Sequence, residues 1–279
     1  MTMKHVIFSG CLCAMMMLTS CYQSSDEELD SVSKYVNFNF SLAGVEQSML
    51  TRAIAEPGHL LVIDKFEGKA TATEKTSLAA FGLPLDYGTH ELYFVAADYL
   101  WNAYSTDDLT VTWANDRTAL SYVWASHLTL EVNEDTSLEE VTLPLVIANV
   151  QVKTLDKLPA NATTFKVDAP DLCHQLDLTT MKGKVAGTPV IFSMDVSPYA
   201  GKYTFTVNLF TFVPTSGSVG DVALTCYGAG DAEIAARMLS EVPVTDGYIS
   251  LYAGYFFSDG VSIPLSYSDD WTGTNNYSY

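Results

Sequence analysis

The chain is short of basic residues. Among its 279 residues, 14 are Lys or Arg and 33 are Asp or Glu, which gives a formal net charge of −19. A surface this negative repels phosphate groups, which excludes binding to nucleic acid or anionic lipid through basic residues. The sequence is nevertheless 48% hydrophobic and 12% aromatic. This composition predicts a folded protein with a packed core, whose membrane attachment has to come from something other than charge.

Motifs of catalysis and cofactor binding are also missing. The chain has no Gly-x-Ser-x-Gly, His-Glu-x-x-His, Gly-x-Gly-x-x-Gly or Gly-Lys-Ser/Thr segment. Its paired acids occur in turn-like stretches, where solvated loop charges are the ordinary interpretation. The histidines beyond residue 30 are scattered along the chain, at His59, His90, His127 and His174. We therefore predict a protein without enzymatic activity, cofactor or metal.

The apolar run near the N-terminus, residues 6–18, is too short to span a bilayer. It follows a single Lys and ends in Leu-Thr-Ser-Cys at residues 18–21, which is the layout of an export signal. The ending resembles the lipobox of bacterial lipoproteins. That resemblance implies cleavage between Ser20 and Cys21, removal of residues 1–20, and acylation of Cys21 by several fatty chains such as palmitate, enough for durable anchoring. The alternative is an ordinary secretory signal with an incidental Cys.

Residues 21–33 are predicted to form an acidic tether, because residues 22–30 are polar and lack core-forming side chains. No Asp directly follows Cys21, which in lipoprotein sorting favours the outer membrane. The Ser-Asp-Glu-Glu segment at residues 25–28 resembles the acidic export tags of Bacteroidetes surface lipoproteins. We therefore expect a lipid-anchored protein of the outer membrane that faces the cell exterior.

Cysteine is scarce once the signal has been removed. Cys11 and Cys13 leave with the signal and Cys21 carries lipid, so Cys173 and Cys226 remain. Two thiols in an oxidising envelope are candidates for a disulfide, and two buried free thiols are the equal alternative. Their spacing is not that of a metal site.

Period-two alternation of apolar and polar residues recurs along the chain, at residues 35–42, 109–113, 128–132 and 203–209 among others. The pattern predicts an all-β protein built from antiparallel sandwiches. Helical periodicity is convincing only at residues 232–239, where Ile234 and Met238 are four apart. Trp113 is expected in the core, whereas Trp101 and Trp271 lie in turn-like surroundings and are expected to be exposed.

The sandwiches are expected to divide near Pro144, which interrupts a long strand-like stretch. A Pro within a strand forfeits a ladder hydrogen bond, so it fits an edge strand or a crossing between sheets. The predicted organisation is an N-terminal β-sandwich domain at residues 34–144 and a C-terminal one at residues 145–279, both of common domain size.

Several segments, taken in order, resemble Bacteroidetes fimbrillins. The resemblance begins with Val-Asn-Phe-Asn-Phe at residues 36–40 and Leu-Thr-Arg-Ala at residues 50–53, which are similar to a first strand and a Thr-Arg-Ala segment. It continues through two early core strands, the crossing between domains and a late Val-Pro-Val segment, at residues 59–64, 92–97, 143–152 and 242–244. Family members usually carry an Arg in the crossing strand, where this chain has Val146 and Ile147.

The resemblance implies two transthyretin-like domains and a role in surface fimbriae that are assembled by strand exchange. A sandwich that lacks one strand exposes unpaired backbone groups and an apolar groove, and an extended partner strand fills both. In stalk subunits of the family, a protease cuts after an Arg that follows the first strand, and Arg52, followed by Ala53, stands at that place. Anchor subunits keep the lipidated N-terminal strand.

The segment after Trp271 is polar and would be a poor donor strand, because a donor needs apolar side chains along one face. We therefore favour an anchor or assembly subunit that holds a fimbrium to the outer membrane. Its expected partners are other fimbrial subunits and a receptor on a host or bacterial surface. The alternatives are a protease-processed stalk or tip adhesin and a carbohydrate-binding lipoprotein of a glycan-uptake system.

Overall fold

The computed structural model describes residues 33–43, 57–79, 81–114, 122–185, 189–203, 205–258 and 274–275. These residues belong to one compact unit that begins at Ser33. The predicted signal cleavage at Ser20 and Cys21, the lipidation of Cys21, the processing site at Arg52 and Ala53, and Trp271 all lie outside the described residues.

The regular secondary structure of the described chain is almost entirely β-strand, which confirms the all-β prediction. The first half contains β1 (Ser33–Ala43), β2 (His59–Phe66), β3 (Lys69–Lys75), β4 (Phe81–Asp86), β5 (Gly88–Ala97), β6 (Ala103–Ser105), β7 (Thr110–Thr112), β8 (Val123–Val132) and β9 (Leu138–Pro144). The second half contains β10 (Ile147–Thr154), β11 (Ala162–Ala169), β12 (Gln175–Asp177), β13 (Lys182–Lys184), β14 (Val190–Asp195), β15 (Thr206–Phe212), β16 (Val222–Gly228), β17 (Glu233–Leu239), β18 (Ile249–Gly254) and β19 (Thr274–Asn275). Short 3₁₀ turns occur at Ser197–Tyr199 and Ala229–Asp231.

The described strands form five sheets, which we call A to E. Sheet A has the order β4-β1-β9 and sheet B the order β3-β2-β5-β8. Sheet C is β13-β12-β7-β6, sheet D is β15-β10-β18-β19, and sheet E is β14-β11-β16-β17. Sheets A and B enclose the first hydrophobic cluster, and sheets D and E enclose the second. This arrangement buries the apolar face that the alternation assigns to each strand.

The two halves repeat one topology. In sheet A the first strand β1 lies between β4 and the last strand of its half, β9; in sheet D the first strand β10 lies between β15 and β18. The facing sheets correspond strand by strand as well. β1 and β9 run parallel, as do β10 and β18, and so do β18 and β19, whereas the other ladders are antiparallel. The strand pairs of the sandwiches are thus antiparallel except for these three parallel pairs. The alternation of apolar and polar residues does not predict which strands run parallel.

The two hydrophobic clusters meet in the chain just after Pro144. Pro144 ends the edge strand β9, as a Pro in a strand would, and the chain then crosses to β10. Ile147 belongs to the first cluster and Ala148 to the second. The division into domains at residues 34–144 and 145–279 stays a prediction, because side chains of the second half, such as Leu176 and Phe212, pack into the first cluster.

Sheet C joins the two halves. β7 of the first half pairs with β12 of the second, with Val111 opposite Leu176. The N–H of Trp113 donates to the His174 carbonyl at 2.9 Å, and the ring of Trp113 packs on Phe212 with centroids 5.2 Å apart. The connection between the halves is therefore a hydrogen-bonded sheet with its own apolar packing.

The helix expected at residues 232–239 is wrong. This segment is β17, which pairs antiparallel with β16 at an edge of sheet E. Its Ala, Arg, Met and Leu residues favour a helix intrinsically, but backbone pairing with a neighbouring strand decides the conformation of such a short segment.

Candidate functional site

The strand β1 occupies the middle of sheet A and has a partner along each side. It is antiparallel to β4, with Tyr35 opposite Pro84, and parallel to β9, with Phe40 opposite Val141. β4 pairs with residues 33–38 of β1 and β9 with residues 37–43, so β1 is hydrogen-bonded on one side along its first half and on the other along its second half. We call the space that β1 fills between β4 and β9 the β1 slot.

The inner face of β1 packs against sheet B as the alternation predicts. Val36 and Phe38 are fully buried, and Phe40 and Leu42 are partly buried. The ring of Phe38 lies 5.5 Å from that of Phe94 on β5, centroid to centroid. Burial of each such side chain contributes about 1.5–3 kcal/mol. An empty β1 slot would expose this apolar surface together with two unpaired strand edges.

The outer face of β1 carries polar contacts to β9. The Asn39 amide donates to the Glu140 carboxylate at 2.8 Å, and the hydroxyls of Ser41 and Thr142 share a hydrogen bond of 3.1 Å. At the start of β1, Lys34 donates to the backbone carbonyl of Glu134, which lies before β9. These contacts are exposed to solvent and contribute little each. The β1 slot therefore selects an extended strand by its backbone and by alternate apolar side chains.

The two cysteines proposed as a disulfide are free and buried. Cys173 packs in the first hydrophobic cluster and Cys226 in the second, so the candidate bridge between them is not formed. Burial raises the pKa of each thiol to about 11; at Cys173 the nearby charge of Asp171 adds to the effect. Both thiols are therefore held in the neutral, unreactive form.

Tryptophan does not form a sugar-stacking platform in the described part of the chain. Trp113 is 2% exposed, as expected, but the exposure predicted for Trp101 is wrong, because Trp101 is 6% exposed and packs edge-on against Trp113. The ring of Trp101 also lies edge-on to that of His59 on β2, with centroids 6.2 Å apart, and such a contact could not be inferred from the turn-like sequence. The exposed aromatic residues described are tyrosines: Tyr35, Tyr87, Tyr99, Tyr104, Tyr199, Tyr203 and Tyr255.

The histidines serve structure where their surroundings are described. His90 is buried, with Nδ1 2.7 Å from a carboxylate oxygen of Asp64 and Nε2 2.9 Å from the Asp86 carbonyl oxygen. His174 is buried with Nδ1 2.7 Å from the Ala114 carbonyl oxygen. Within the described ranges, no group of three or more His, Cys, Asp or Glu side chains is placed to hold a metal ion.

Asp156 is a residue that the sequence did not single out. One of its carboxylate oxygens accepts a hydrogen bond from the Phe256 N–H at 3.0 Å. The other accepts from the N–H groups of Phe257 at 2.6 Å and Ser258 at 3.0 Å, and from the Ser258 hydroxyl at 3.2 Å. Asp156 follows β10 and these donors follow β18, so the carboxylate fixes where the chain leaves sheet D. Only the non-local pairing of β10 with β18 brings them together, and no local pattern reports it.

No helix in the described residues has the length and apolar character needed to cross a membrane. No protein-family model matches the chain, and no curated protein matches it.

Solved structures resemble the fold. A proposed adhesin from Bacteroides ovatus superposes with a TM-score of 0.54 at 11% identity, covering 84% of this chain and 88% of that chain. A proposed cell adhesion protein from the same species gives 0.54 at 14% identity, covering 87% and 99%. A proposed adhesin from Bacteroides thetaiotaomicron gives 0.51 at 13% identity, covering 80% and 92%. At such low identities the likeness concerns the fold, and the chain has the all-β fold of these Bacteroides proteins.

Proposed function

We propose that this chain is a subunit of a surface fimbrium, held in the outer membrane by lipid on Cys21 and joined to other subunits by strand exchange. The observation that carries the proposal is the β1 slot. The first described strand completes a sandwich from the middle of a sheet, so its removal or replacement would create a complete acceptor for another chain's strand. The fold shared with proposed adhesins and the lipobox at residues 18–21 support the same role.

Within this role we favour the anchor over a processed stalk or tip subunit. An anchor keeps β1 and the lipidated segment before it, whereas processing after Arg52 would separate both from the rest of the chain. β1 fills its slot with Val36 and Phe38 fully buried, which supports a subunit that retains this strand.

The test is the mature N-terminus and its lipid, measured by mass spectrometry on protein taken from cells. We expect an acylated Cys21 with residues 21–52 still attached. Cys21→Ala should release the protein from the membrane fraction, and Cys173→Ala, the matched control, should leave it there. A mature N-terminus at Ala53 would reject the anchor role in favour of a processed stalk or tip.

Arg52→Ala separates the two roles further. If the protein is an anchor, the mature chains of Arg52→Ala and of the control Lys75→Ala should each differ from the mature parent chain only by the mass of the substitution. In a processed subunit, only Arg52→Ala would retain residues 21–52.

Strand exchange is tested by replacing β1 in trans. A chain that begins after residue 43 should be much less stable than the protein that contains β1, and a peptide of residues 33–43 should restore its stability. A peptide in which Val36, Phe38 and Phe40 are replaced by Ser should fail, because it keeps the backbone donors and acceptors but lacks the apolar face. Equal rescue by both peptides would contradict the β1 slot as a specific acceptor.

The rival role is binding of a glycan by a surface lipoprotein. Burial of Trp101 removes one of the residues on which that interpretation depended. Saturable binding on a glycan array, by the protein with β1 in place, would favour the rival.

A further inference from the structure

A cavity opens at one side of the second sandwich, between β17 of sheet E and β18 of sheet D. Its volume is about 170 Å³. Its inner wall is apolar and buried, and consists of Val152, Leu224, Tyr252 and Phe256. β17 is an edge strand, and β19 pairs only with Ile249 and Ser250 of β18, so no described strand closes this side.

Arg237 stands at the cavity with an unused hydrogen-bond donor. Its guanidinium carbon lies 5.6 Å from the centre of the Phe256 ring, and Nη1 donates to the Ala236 carbonyl at 2.8 Å. These two contacts fix the orientation of the guanidinium group. Nε is buried and has no hydrogen-bond partner. A buried donor without a partner is uncommon and destabilising. An acceptor on a bound ligand would satisfy the Nε donor and complete the site.

The charge around the cavity differs from that of the whole protein. The chain has a formal net charge of −19, yet the cation Arg237 lines this cavity, opposite the buried Leu224. Its side chain forms no ion pair with a carboxylate of the described residues. The cavity is therefore an apolar recess with one cation, on a molecule that otherwise repels anions.

We propose that this cavity binds a small carboxylate that carries a compact apolar group, of which an aromatic acid is the representative. An apolar cavity of about 150 Å³ accommodates benzene, so the present volume takes a ring of that size. A guanidinium group binds a carboxylate through two parallel N–H donors, and Nε supplies one that is free for this purpose.

Phenylacetate is the probe, and the neutral analogue phenylacetamide is its matched control. Binding to the full chain is measured by titration in saturation-transfer NMR, and by the rise in unfolding temperature that a ligand of the native state produces. We expect saturable millimolar binding of phenylacetate, and binding of the amide that is weaker by roughly tenfold.

Two variants locate the site. Arg237→Gln should weaken phenylacetate binding by roughly tenfold, because it removes the charge and the fork of donors. Lys166→Gln removes a cation from β11 of the same sheet, away from the cavity, and should leave the affinity unchanged. Unfolding midpoints without ligand establish that both variants are folded. The proposal would be overturned by the absence of saturable phenylacetate binding, by equal binding of phenylacetate and phenylacetamide, or by unchanged phenylacetate binding in Arg237→Gln. It would also be overturned if the cavity bound an extended peptide but not phenylacetate.

Discussion

The side chain of His90 shows how a buried polar residue is accommodated on the inner face of sheet B. Its two ring nitrogens face oxygen acceptors, the Asp64 carboxylate and the Asp86 carbonyl, and its ring stacks on Phe66 with centroids 4.3 Å apart. The residue therefore ties β2 to the end of β4, although its position in the sequence resembles that of an ordinary strand residue.

Replacing His90 by Ala should lower the free energy of unfolding by roughly 3 kcal/mol, because the change leaves Asp64 without its partner and opens a cavity. Urea denaturation measures the loss. The control is His127→Ala, at an exposed position of β8, where we expect a change within about 0.5 kcal/mol. Similar losses in the two variants would refute the structural role given to His90.

The two thiols give a pH-dependent prediction. Burial raises both pKa values from 9.0 to about 11, so the folded protein favours the neutral thiol. Unfolded thiols ionise first, so this contribution to stability is fully present below about pH 9 and is lost as pH rises from 9 to 11. The urea midpoint should fall over that interval, and less steeply in Cys226→Ala than in the parent protein.

Alkylation provides a second measurement on the same thiols. Native protein at about pH 8 should react slowly with iodoacetamide at both positions, because the thiols are buried and neutral, and urea-unfolded protein should react at both. A cysteine that reacts at the same rate in the native and unfolded protein would contradict its placement in a hydrophobic cluster.

At the scale of elements, the side chain of Asp156 holds the residues that directly follow β18. Asp156→Ala should speed hydrogen exchange at the amides of Phe256, Phe257 and Ser258, and should lower the unfolding free energy by about 1–3 kcal/mol, because three backbone donors lose a charged acceptor. Asp156→Asn keeps the shape of the side chain and one oxygen acceptor. Its exchange rates and its unfolding free energy should therefore lie between those of Asp156→Ala and those of the parent protein. Unchanged exchange at these amides would refute the anchoring role.

β13 makes a close approach that only glycine permits. A Cβ at Gly183 would lie 2.6 Å from the Cys173 Cβ and 2.7 Å from the Phe212 carbonyl oxygen. Gly183→Ala should therefore cost roughly 1–3 kcal/mol of stability by overpacking. Gly58→Ala is the control, since its nearest neighbour would be 4.0 Å away, and a stability loss as large there would contradict the steric explanation.

The elements differ in how well the sequence predicts them. β1 was predictable, and with it the inner face of the candidate site, because alternation at residues 35–42 specifies which side chains are buried. β17 was not, because its composition favours a helix and only pairing with β16 makes it a strand. The burial of Trp101 was not predictable for a related reason: its ring packs against His59 of β2 and against Trp113, and the sequence around Trp101 reports neither contact.

At the scale of the whole molecule, sheet C should make the two halves unfold together. Trp101, Trp113 and Trp124 report on the first hydrophobic cluster, and Cys226 reports on the second. In a Trp271→Phe background, the urea transition followed by fluorescence should coincide with that followed by pulsed labelling of Cys226. Two separate midpoints would show that the halves are independent domains, joined more weakly than the hydrogen bonds between β7 and β12 indicate.

The repeated topology has a consequence for the order in which the protein can fold. Asn39 of β1 bonds to a residue 101 positions later on β9, and the partners of β10 on β18 are similarly remote. The first strand of each half can therefore pair fully only when the last strand is present. Loop-closure entropy opposes this pairing until the chain between the two strands has collapsed. We expect high contact order and slow folding of each half. During synthesis, a half cannot close its sheet before its last strand has emerged, so each half stays open until β9 or β18, respectively, has been made.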